Sequence, residues 1–198
     1  MTLRPDLAAV ADAVPPGARV LDIGCGDGAL LAHLRDTKGV EGRGIDVSAA
    51  NVATAVARGL SVVQGDADAD LADYPADAFD VAILSNTLQA MRAPATVVGE
   101  LLRIARQAVV SFPNFGHWRV RGSIVFGGRM PVTRTLPVTW HATPNIHLCT
   151  VDDFRALVAE LGLQIENACF LSGGRRRGGL QANLLAEQAV FVLKRSQR

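Results

Sequence analysis

The stretch "VLDIGCGDG", residues 20–28, joins a short apolar run to a glycine-rich turn. The apolar run is typical of a buried strand, and "ALLAHLRDTK" directly after the turn has the apolar spacing of an amphipathic helix. Glycines at positions 24, 26 and 28 remove side chains where the backbone must turn tightly or approach a ligand. The stretch therefore predicts a strand–turn–helix unit with a binding site at the turn.

Further apolar runs alternate with helical patterns along the chain. "GRGIDVS", "LSVVQGD", "AFDVAILSN" and "QAVVSF" read as strands. Ser48 and Pro94 mark the starts of two of the intervening helices. Alternation of this kind predicts a parallel sheet covered by helices on both faces. Near the end, Thr150 is expected to cap a helix, and "LQIENACFL" with "QAVFVLKR" predicts an antiparallel strand pair.

Composition sets further bounds. The chain has 198 residues, of which 49% are hydrophobic and 20% charged, with a formal net charge of +1. We expect one domain over residues 1–198. The charge balance argues against a nucleic-acid surface, and no apolar run reaches the roughly 18 residues that span a membrane. The first residues, "MTLRPDLAAVADAV", predict an amphipathic helix and not a secretory signal.

The three cysteines are odd in number and lack the spacing of a metal site. We therefore expect a reduced, cytoplasmic protein without a metal. His117, His141 and His147 could form a metal or acid–base cluster, but no acidic signature lies near them.

Asp22, Asp46 and Asp66 lie at the carboxyl ends of the first three predicted strands. Ligands of open α/β sheets bind at that edge, and a carboxylate after the second strand can take both hydroxyls of a ribose. Asp66 could accept a hydrogen bond from an adenine amino group. Asp22 would repel a pyrophosphate and attract an ammonium or sulfonium. "GCGDGA" also satisfies a dinucleotide fingerprint, but Asp22 disfavours a nicotinamide-dependent oxidoreductase.

The glycine turn and the three acids together resemble the S-adenosylmethionine site of class I methyltransferases. The resemblance implies an α/β, Rossmann-like class I methyltransferase fold, with a seven-stranded, mostly parallel sheet and a C-terminal antiparallel strand pair. It implies S-adenosylmethionine or S-adenosylhomocysteine as cofactor, with Asp22 and the turn at the methionine portion and Val47 at the adenine face. The residues that it assigns to the cofactor are Asp22, Gly24, Cys25, Gly26, Gly28, Asp46, Val47, Asp66, Ala67 and Ser85.

The segment after the fourth predicted strand, "SNTLQAMR", differs from the (N/D)PP(Y/F) tetrapeptide of amino-methylating enzymes of this class. Asn86 and Gln89 are polar, but neither is a general base. Methylation of DNA, RNA or glutamine is therefore disfavoured, and small-molecule methylation remains open.

"SFPNFGHWRVR", residues 111–121, concentrates aromatic residues in a chain that has only 5% of them. It directly follows the fifth predicted strand and opens a long irregular segment, 113–150, expected to form an insertion or lid. That segment is either a flap packed over the core or a docking surface beside the ligand. The candidates for a partner or substrate surface are Phe115, His117, Trp118 and Arg119.

"FDVAILSNTLQ", "VVSFPNFGHWRVR", "GGRMPVT" and "TPNIHLCT" resemble the methionine biosynthesis protein family MetW. The resemblance implies a bacterial cytoplasmic protein that acts alongside homoserine O-acyltransferase, with its own catalysis open. Two functions therefore stand: an S-adenosylmethionine-binding subunit that assists homoserine acylation, and a conventional small-molecule methyltransferase. Arg175–Arg177 lie outside this resemblance and are expected to form a solvated loop.

Overall fold

The computed structural model describes residues 3–196, which form one eight-stranded sheet between two layers of helices. The strands are β1 (Arg19–Ile23), β2 (Glu41–Asp46), β3 (Ser61–Gln64), β4 (Phe79–Ser85), β5 (Ala105–Pro113), β6 (Leu163–Ser172), β7 (Arg175–Arg177) and β8 (Gln188–Arg195). The helices are α1 (Pro5–Asp12), α2 (Ala29–Lys38), α3 (Ala49–Ala57), α4 (Ala67–Asp70), α5 (Pro94–Ile104), α6 (Trp118–Gly127), α7 (Val151–Glu160) and α8 (Ala182–Leu185). Short 3₁₀ turns lie at Leu71–Asp73 and Leu88–Ala90.

The strand order is β3-β2-β1-β4-β5-β8-β6-β7. Strands β1 to β5 pair in parallel, and β8 inserts antiparallel between β5 and β6. The predicted parallel sheet and closing antiparallel pair are thus confirmed. Because the order reverses between β1 and β4, a crevice opens beyond their carboxyl ends, next to the glycine turn.

The sheet has eight strands where seven were expected. Arg175–Arg177 pair with Phe170–Ser172 across Gly173 and Gly174, whose φ angles are 60° and 75°. In a two-residue hairpin turn of type I′ both central positions require positive φ, which glycine adopts without strain. The prediction of a loop at Arg175–Arg177 is therefore wrong, although all three side chains are exposed.

The capping hydrogen bonds predicted at the starts of two helices are present. The Ser48 hydroxyl accepts the Asn51 N–H over 3.4 Å at the start of α3. Thr150 and Asp153 form a reciprocal capping box at the start of α7. Each such cap satisfies backbone N–H groups that the first helical turn leaves without a partner.

Helices α1 to α3 pack on one face of the sheet and α5 and α7 on the other. Phe112, in β5, is fully buried on the second face. Its ring lies 4.9 Å from that of Phe154 in α7 and 5.9 Å from that of Phe191 in β8. The first aromatic residue of the 111–121 stretch therefore belongs to the core.

The expected irregular segment 113–150 begins with the last residue of β5 and a short turn and contains a helix, α6; from residue 128 to residue 150 it has neither helix nor strand. Val120 is the one buried residue of this helix, while Ile124, Val125 and Phe126 are exposed. Since its apolar side chains do not gather on a buried stripe, the helix has no clear periodic signal in sequence. Within residues 3–196, none of the helices has the length and apolar character needed to cross a membrane.

Candidate functional site

The three glycines of the turn between β1 and α2 share a positive φ angle but differ in the space around their Cα atoms. Gly24, Gly26 and Gly28 all have positive φ, at 70°, 57° and 76°. A Cβ on Gly24 would lie 2.5 Å from Thr87 Oγ1, and one on Gly28 would clash with Leu60. A Cβ on Gly26 would meet nothing within 4 Å. The turn is therefore packed tightly on its inner side and leaves its backbone open to a ligand at Gly26.

The Cys25 side chain packs against β2. Its side chain is buried, and a Cβ placed on Gly44 would lie 2.7 Å from its Sγ. Burial raises the pKa of this thiol to about 12, with smaller contributions from nearby carboxylates. The Cys25 N–H donates to the Ile45 carbonyl over 3.2 Å. The thiol thus fills a hollow over β2, and its Sγ also lies 3.8 Å from the Gly26 carbonyl oxygen in the turn.

Asp22 supplies an unsatisfied carboxylate at the same place. Asp22 is 2% exposed, and its Oδ1 has no hydrogen-bond partner among the described residues. Burial raises the pKa of Asp22 to about 7, and the charge of Asp46 adds to the effect. Asp22 lines a cavity of about 790 Å³ together with Gly24, Gly26 and Ser85. A buried polar atom without a partner in a cavity wall is typical of a position that a ligand completes.

Asp46, at the end of β2, ties the glycine turn to the start of α3. Its Oδ2 accepts the Gly26 N–H over 2.8 Å. Its Oδ1 accepts the Ser48 N–H over 2.9 Å and the Asn51 side-chain amide over 3.1 Å. The next residue, Val47, is 71% exposed and presents an apolar surface beside the carboxylate.

Asp66 is both a helix cap and part of an ion pair. Its Oδ1 accepts the Asp68 N–H over 3.0 Å at the start of α4, of which Ala67 is the first residue. Its Oδ2 pairs with the Arg92 guanidinium. Arg92 also donates its backbone N–H to Asp68 over 2.9 Å. Sequence reasoning missed Arg92 because its partners lie more than twenty residues away and no local pattern connects them.

The end of β4 meets helix α1. The Ser85 and Ser111 hydroxyl oxygens lie 3.0 Å apart. Asn86 has a φ of 54° and donates its side-chain amide to Asp6 over 2.8 Å. Asp6 is 5% exposed and also accepts a hydrogen bond from Arg4 over 3.1 Å. The first turn of α1 is thereby fastened beside the crevice, a contact that the amphipathic pattern of the first residues did not predict.

The four candidates for a partner or substrate surface fall in different places. Phe115 is partly buried in the wall of a second cavity. His117 is 5% exposed and caps α6 by accepting the Arg119 N–H at Nδ1 over 3.3 Å. Burial lowers the pKa of His117, which suits an acceptor nitrogen. Trp118 is 50% exposed, and the Arg119 guanidinium carbon lies 5.3 Å from its ring centroid. Only Trp118 and Arg119 thus reach the surface.

Among the described residues, His117, His141 and His147 do not form a metal site. Across residues 3–196, no group of three or more His, Cys, Asp or Glu side chains has the arrangement of a metal site. His117 serves as a helix cap, and His141 lies 3.2 Å from the Thr139 hydroxyl in an exposed turn.

Solved structures with the same architecture define the class. The S-adenosylmethionine dependent methyltransferase from Mesorhizobium loti superposes with a TM-score of 0.72 at 19% identity, covering 96% of this chain and 98% of that one. The [4+2]-cyclase SpnF gives a TM-score of 0.68 at 18% identity, covering 98% and 81%. With its strand order and glycine turn, this chain has the Rossmann-like fold of class I S-adenosylmethionine-dependent methyltransferases.

The family follows from sequence. The profile of "Methionine biosynthesis protein MetW" matches residues 4–193. The bifunctional methionine biosynthesis protein MetXA/MetW of Rhodopirellula baltica is 34% identical over 210 residues, which cover all of this chain and 34% of the relative. The chain thus spans about a third of that relative's length. It belongs to the MetW family of methionine biosynthesis proteins.

Proposed function

We propose that this protein binds S-adenosylmethionine or its demethylated product at the glycine turn and acts with homoserine O-acyltransferase in methionine biosynthesis. Binding of the cofactor is supported by one observation in particular, the Asp22 oxygen that has no partner among the described residues and lies beside the open backbone of Gly26. S-adenosylmethionine carries an ammonium and a sulfonium, and when bound it supplies an activated methyl group. A positive group of this kind would satisfy a buried carboxylate that the described residues leave without a partner.

Asp46, Val47 and Asp66 do not line the cavity that Asp22 borders, but they lie at or just beyond the ends of the neighbouring strands β2 and β3 and suit the remaining parts of the cofactor. The Asp46 carboxylate would hold the ribose hydroxyls, as a carboxylate after the second strand does in nucleotide-binding folds. The exposed side chain of Val47 would lie against the adenine ring, and Asp66 would accept the adenine amino group. A pyrophosphate would instead face Asp22 and be repelled, so a nicotinamide dinucleotide fits this crevice poorly.

Assistance of another enzyme is favoured over conventional methyl transfer to a small molecule, which is the alternative. The polar residues that follow β4, Asn86 and Gln89, are neutral amides and cannot take a proton from an acceptor. His117 is occupied as a helix cap. The fold does not decide the matter, since the same architecture is found in a protein described as a [4+2]-cyclase.

The acyltransferase partner is supported by the Rhodopirellula baltica relative, whose name joins MetXA to MetW in one chain. MetX proteins are homoserine acyltransferases. Two functions joined in a single polypeptide remain close in space, which raises the effective concentration of one for the other. We infer that this chain meets the acyltransferase as a partner.

The surface that we assign to this partner is the exposed side of α6 with the residues that follow it. Trp118 and Phe126 are 50% and 91% exposed. From residue 113 to residue 150 the chain has no Asp or Glu and contains Arg119, Arg121, Arg129 and Arg134. Aromatic residues and arginine are enriched at protein interfaces, and an arginine-rich surface favours an acidic partner face.

The test is co-purification of this chain with homoserine O-acyltransferase, followed by acyltransferase assays with and without it. We expect a stable complex and a higher rate of acylation in its presence. If the two do not associate and the rate is unchanged, the partner half of the proposal is wrong. Calorimetric titration with S-adenosylmethionine tests the cofactor half separately, because it needs only the isolated chain.

A further inference from the structure

A second cavity of about 850 Å³ lies beyond the ends of β4 and β5. Asn86 and Pro113 form its floor. The irregular segment after α6 forms its roof, with Leu136, Trp140 and Ile146 among the lining residues. Cavities of this size hold a small organic molecule, and an apolar lining with a few polar groups is typical of such sites. None of the residues assigned to the cofactor lines it.

Gln89, in the wall of this cavity, carries an unexplained polar group. The residue is 1% exposed, and neither Oε1 nor Nε2 of its side chain has a hydrogen-bond partner among the described residues. Its backbone carbonyl accepts the N–H groups of Ile146 and His147 over 2.9 and 3.0 Å, which fixes the roof above it. A buried carboxamide without partners is costly, so its persistence calls for a partner outside the chain.

The charges around the cavity are already balanced. Arg4 pairs with Asp6 over 3.1 Å, and Arg134 pairs with Glu187 over 2.9 Å. The lining therefore offers neither an unpaired cation nor an unpaired anion among the described residues. A charged ligand would lose its hydration without gaining a countercharge, which is unfavourable.

We propose that this cavity binds an uncharged small molecule with an apolar body and an amide group, and that the Gln89 carboxamide, whose two polar atoms each expose less than 1 Å² in the free chain, turns towards the cavity to pair with that amide. An amide both donates and accepts, so it satisfies Nε2 and Oε1 together. A carboxylate has no hydrogen to donate and would leave Oε1 without a partner. The cavity adjoins the cofactor crevice, because Arg4 borders both and the consecutive residues Ser85 and Asn86 line one each.

The test uses octanamide as the probe and octanoate at pH 8 as its charged counterpart of equal length. The chain has two tryptophans, so Trp118→Phe leaves Trp140 in the roof as the single fluorescent reporter. In that background we expect octanamide to change the Trp140 emission and to raise the melting temperature. Octanoate should bind at least tenfold more weakly. Gln89→Leu should fold, because it removes a buried unpartnered amide, and should weaken octanamide binding about tenfold.

Two further variants keep the outcome decisive. Trp140→Ala, which removes apolar surface from the roof, should also weaken octanamide binding, detected by calorimetry. Asp46→Ala should leave octanamide binding unchanged while weakening the binding of S-adenosylmethionine, which separates this inference from the cofactor proposal. The inference is overturned if octanamide does not bind, if octanoate binds as tightly, or if Gln89→Leu leaves the affinity unchanged. Loss of octanamide binding in Asp46→Ala would place the probe in the cofactor crevice and overturn it as well.

Discussion

The side-chain amide of Asn51 donates to Asp46 Oδ1 over 3.1 Å, on the same oxygen that accepts the Ser48 N–H. With the Gly26 N–H on the other oxygen, three donors occupy this carboxylate. A carboxylate has about four lone-pair positions, so three donors leave room for one more. Two ribose hydroxyls need two positions. If a ribose binds here as we propose, Asn51, the side-chain donor of the three, is the one expected to move.

This relationship sets the first prediction. Asp46→Ala should weaken the binding of S-adenosylmethionine by tenfold to a hundredfold, because a hydroxyl-to-carboxylate bond contributes roughly 1.5–3 kcal/mol. Asn51→Ala is the matched control, since it frees a lone pair of Asp46 and should leave the affinity equal or higher. Calorimetry measures both. An unchanged affinity in Asp46→Ala would remove Asp46 from the site.

The second prediction concerns the stability of the free protein. Burial raises the pKa of Asp22 from an ordinary 3.8 to about 7 in the folded state. The folded form therefore holds a proton that the unfolded form releases, and the stabilising contribution is lost as pH rises from about 4 through 7. Asp22→Asn cannot ionise and should not show this loss. Urea unfolding at several pH values measures the free energy of unfolding of both proteins. We expect that of the variant to increase relative to that of the native chain as pH rises to 7. A difference that stays constant with pH would contradict the prediction.

The third prediction concerns ligand binding at the same carboxyl group. A cation is bound by the ionised form of Asp22, so the affinity for S-adenosylmethionine should rise up to tenfold per pH unit between pH 5.5 and 7. Asp22→Asn should remove this dependence. S-adenosylhomocysteine, which lacks the sulfonium charge, shows which cation is involved. If the affinities of both ligands rise equally with pH, the cation that faces Asp22 is the ammonium. If only the affinity for S-adenosylmethionine rises with pH, it is the sulfonium. No slope for either ligand would mean that Asp22 does not face the cation.

The fourth prediction concerns the partner surface. Trp118 is half exposed, so Trp118→Ala should leave the melting temperature of the isolated chain nearly unchanged. An interface anchor contributes about 2 kcal/mol, so the same change should weaken the complex with the acyltransferase roughly thirtyfold. Val56→Ala, at a position 52% exposed on α3, is the control and should have no effect on the complex. Equal affinities for the two variants would remove Trp118 from the interface.

The fifth prediction concerns the cap of α6. His117→Ala should lower the free energy of unfolding by about 1 kcal/mol. His117→Asn should lower it much less, because asparagine is a good helix-capping residue. Burial lowers the pKa of His117 in the folded state, so its contribution is present above about pH 6.5 and is lost as pH falls further. Thermal melts at pH 5 and pH 8 measure this. A loss on alanine substitution that is as large at pH 5 as at pH 8 would argue against the cap.

Much of the fold could be predicted because its signals are local. The apolar runs that became β1 to β5, the helix starts at Ser48 and Thr150 and the glycine turn each depend on a few neighbouring residues. Strand β7 escaped prediction because three consecutive arginines do not resemble a strand. Its pairing depends instead on the positive φ angles of Gly173 and Gly174.

The positions of the carboxylates in the candidate site could be predicted from the sequence, but the residues that pair with the site could not. Asp22, Asp46 and Asp66 lie at the carboxyl ends of predicted strands, so their common edge could be inferred from sheet geometry. The contacts of Arg92 with Asp66 and of Asn86 with Asp6 cross 26 and 80 positions of the chain. Such pairs exist only after the sheet has assembled, so no local pattern could reveal them.

The position of the Cys25 thiol over Gly44 has a practical consequence. Maleimides react with thiolates, and a buried thiol with a pKa of about 12 offers almost none at neutral pH. The pKa values of Cys149 and Cys169 are also raised by burial, that of Cys149 to about 12. The native cysteines should therefore label more slowly than an exposed thiol, although Cys149 and Cys169 are only partly buried. A cysteine introduced in place of Phe126, which is 91% exposed, would be labelled faster with a dye or photo-crosslinker, and the proposed contact with the acyltransferase could be mapped from that position.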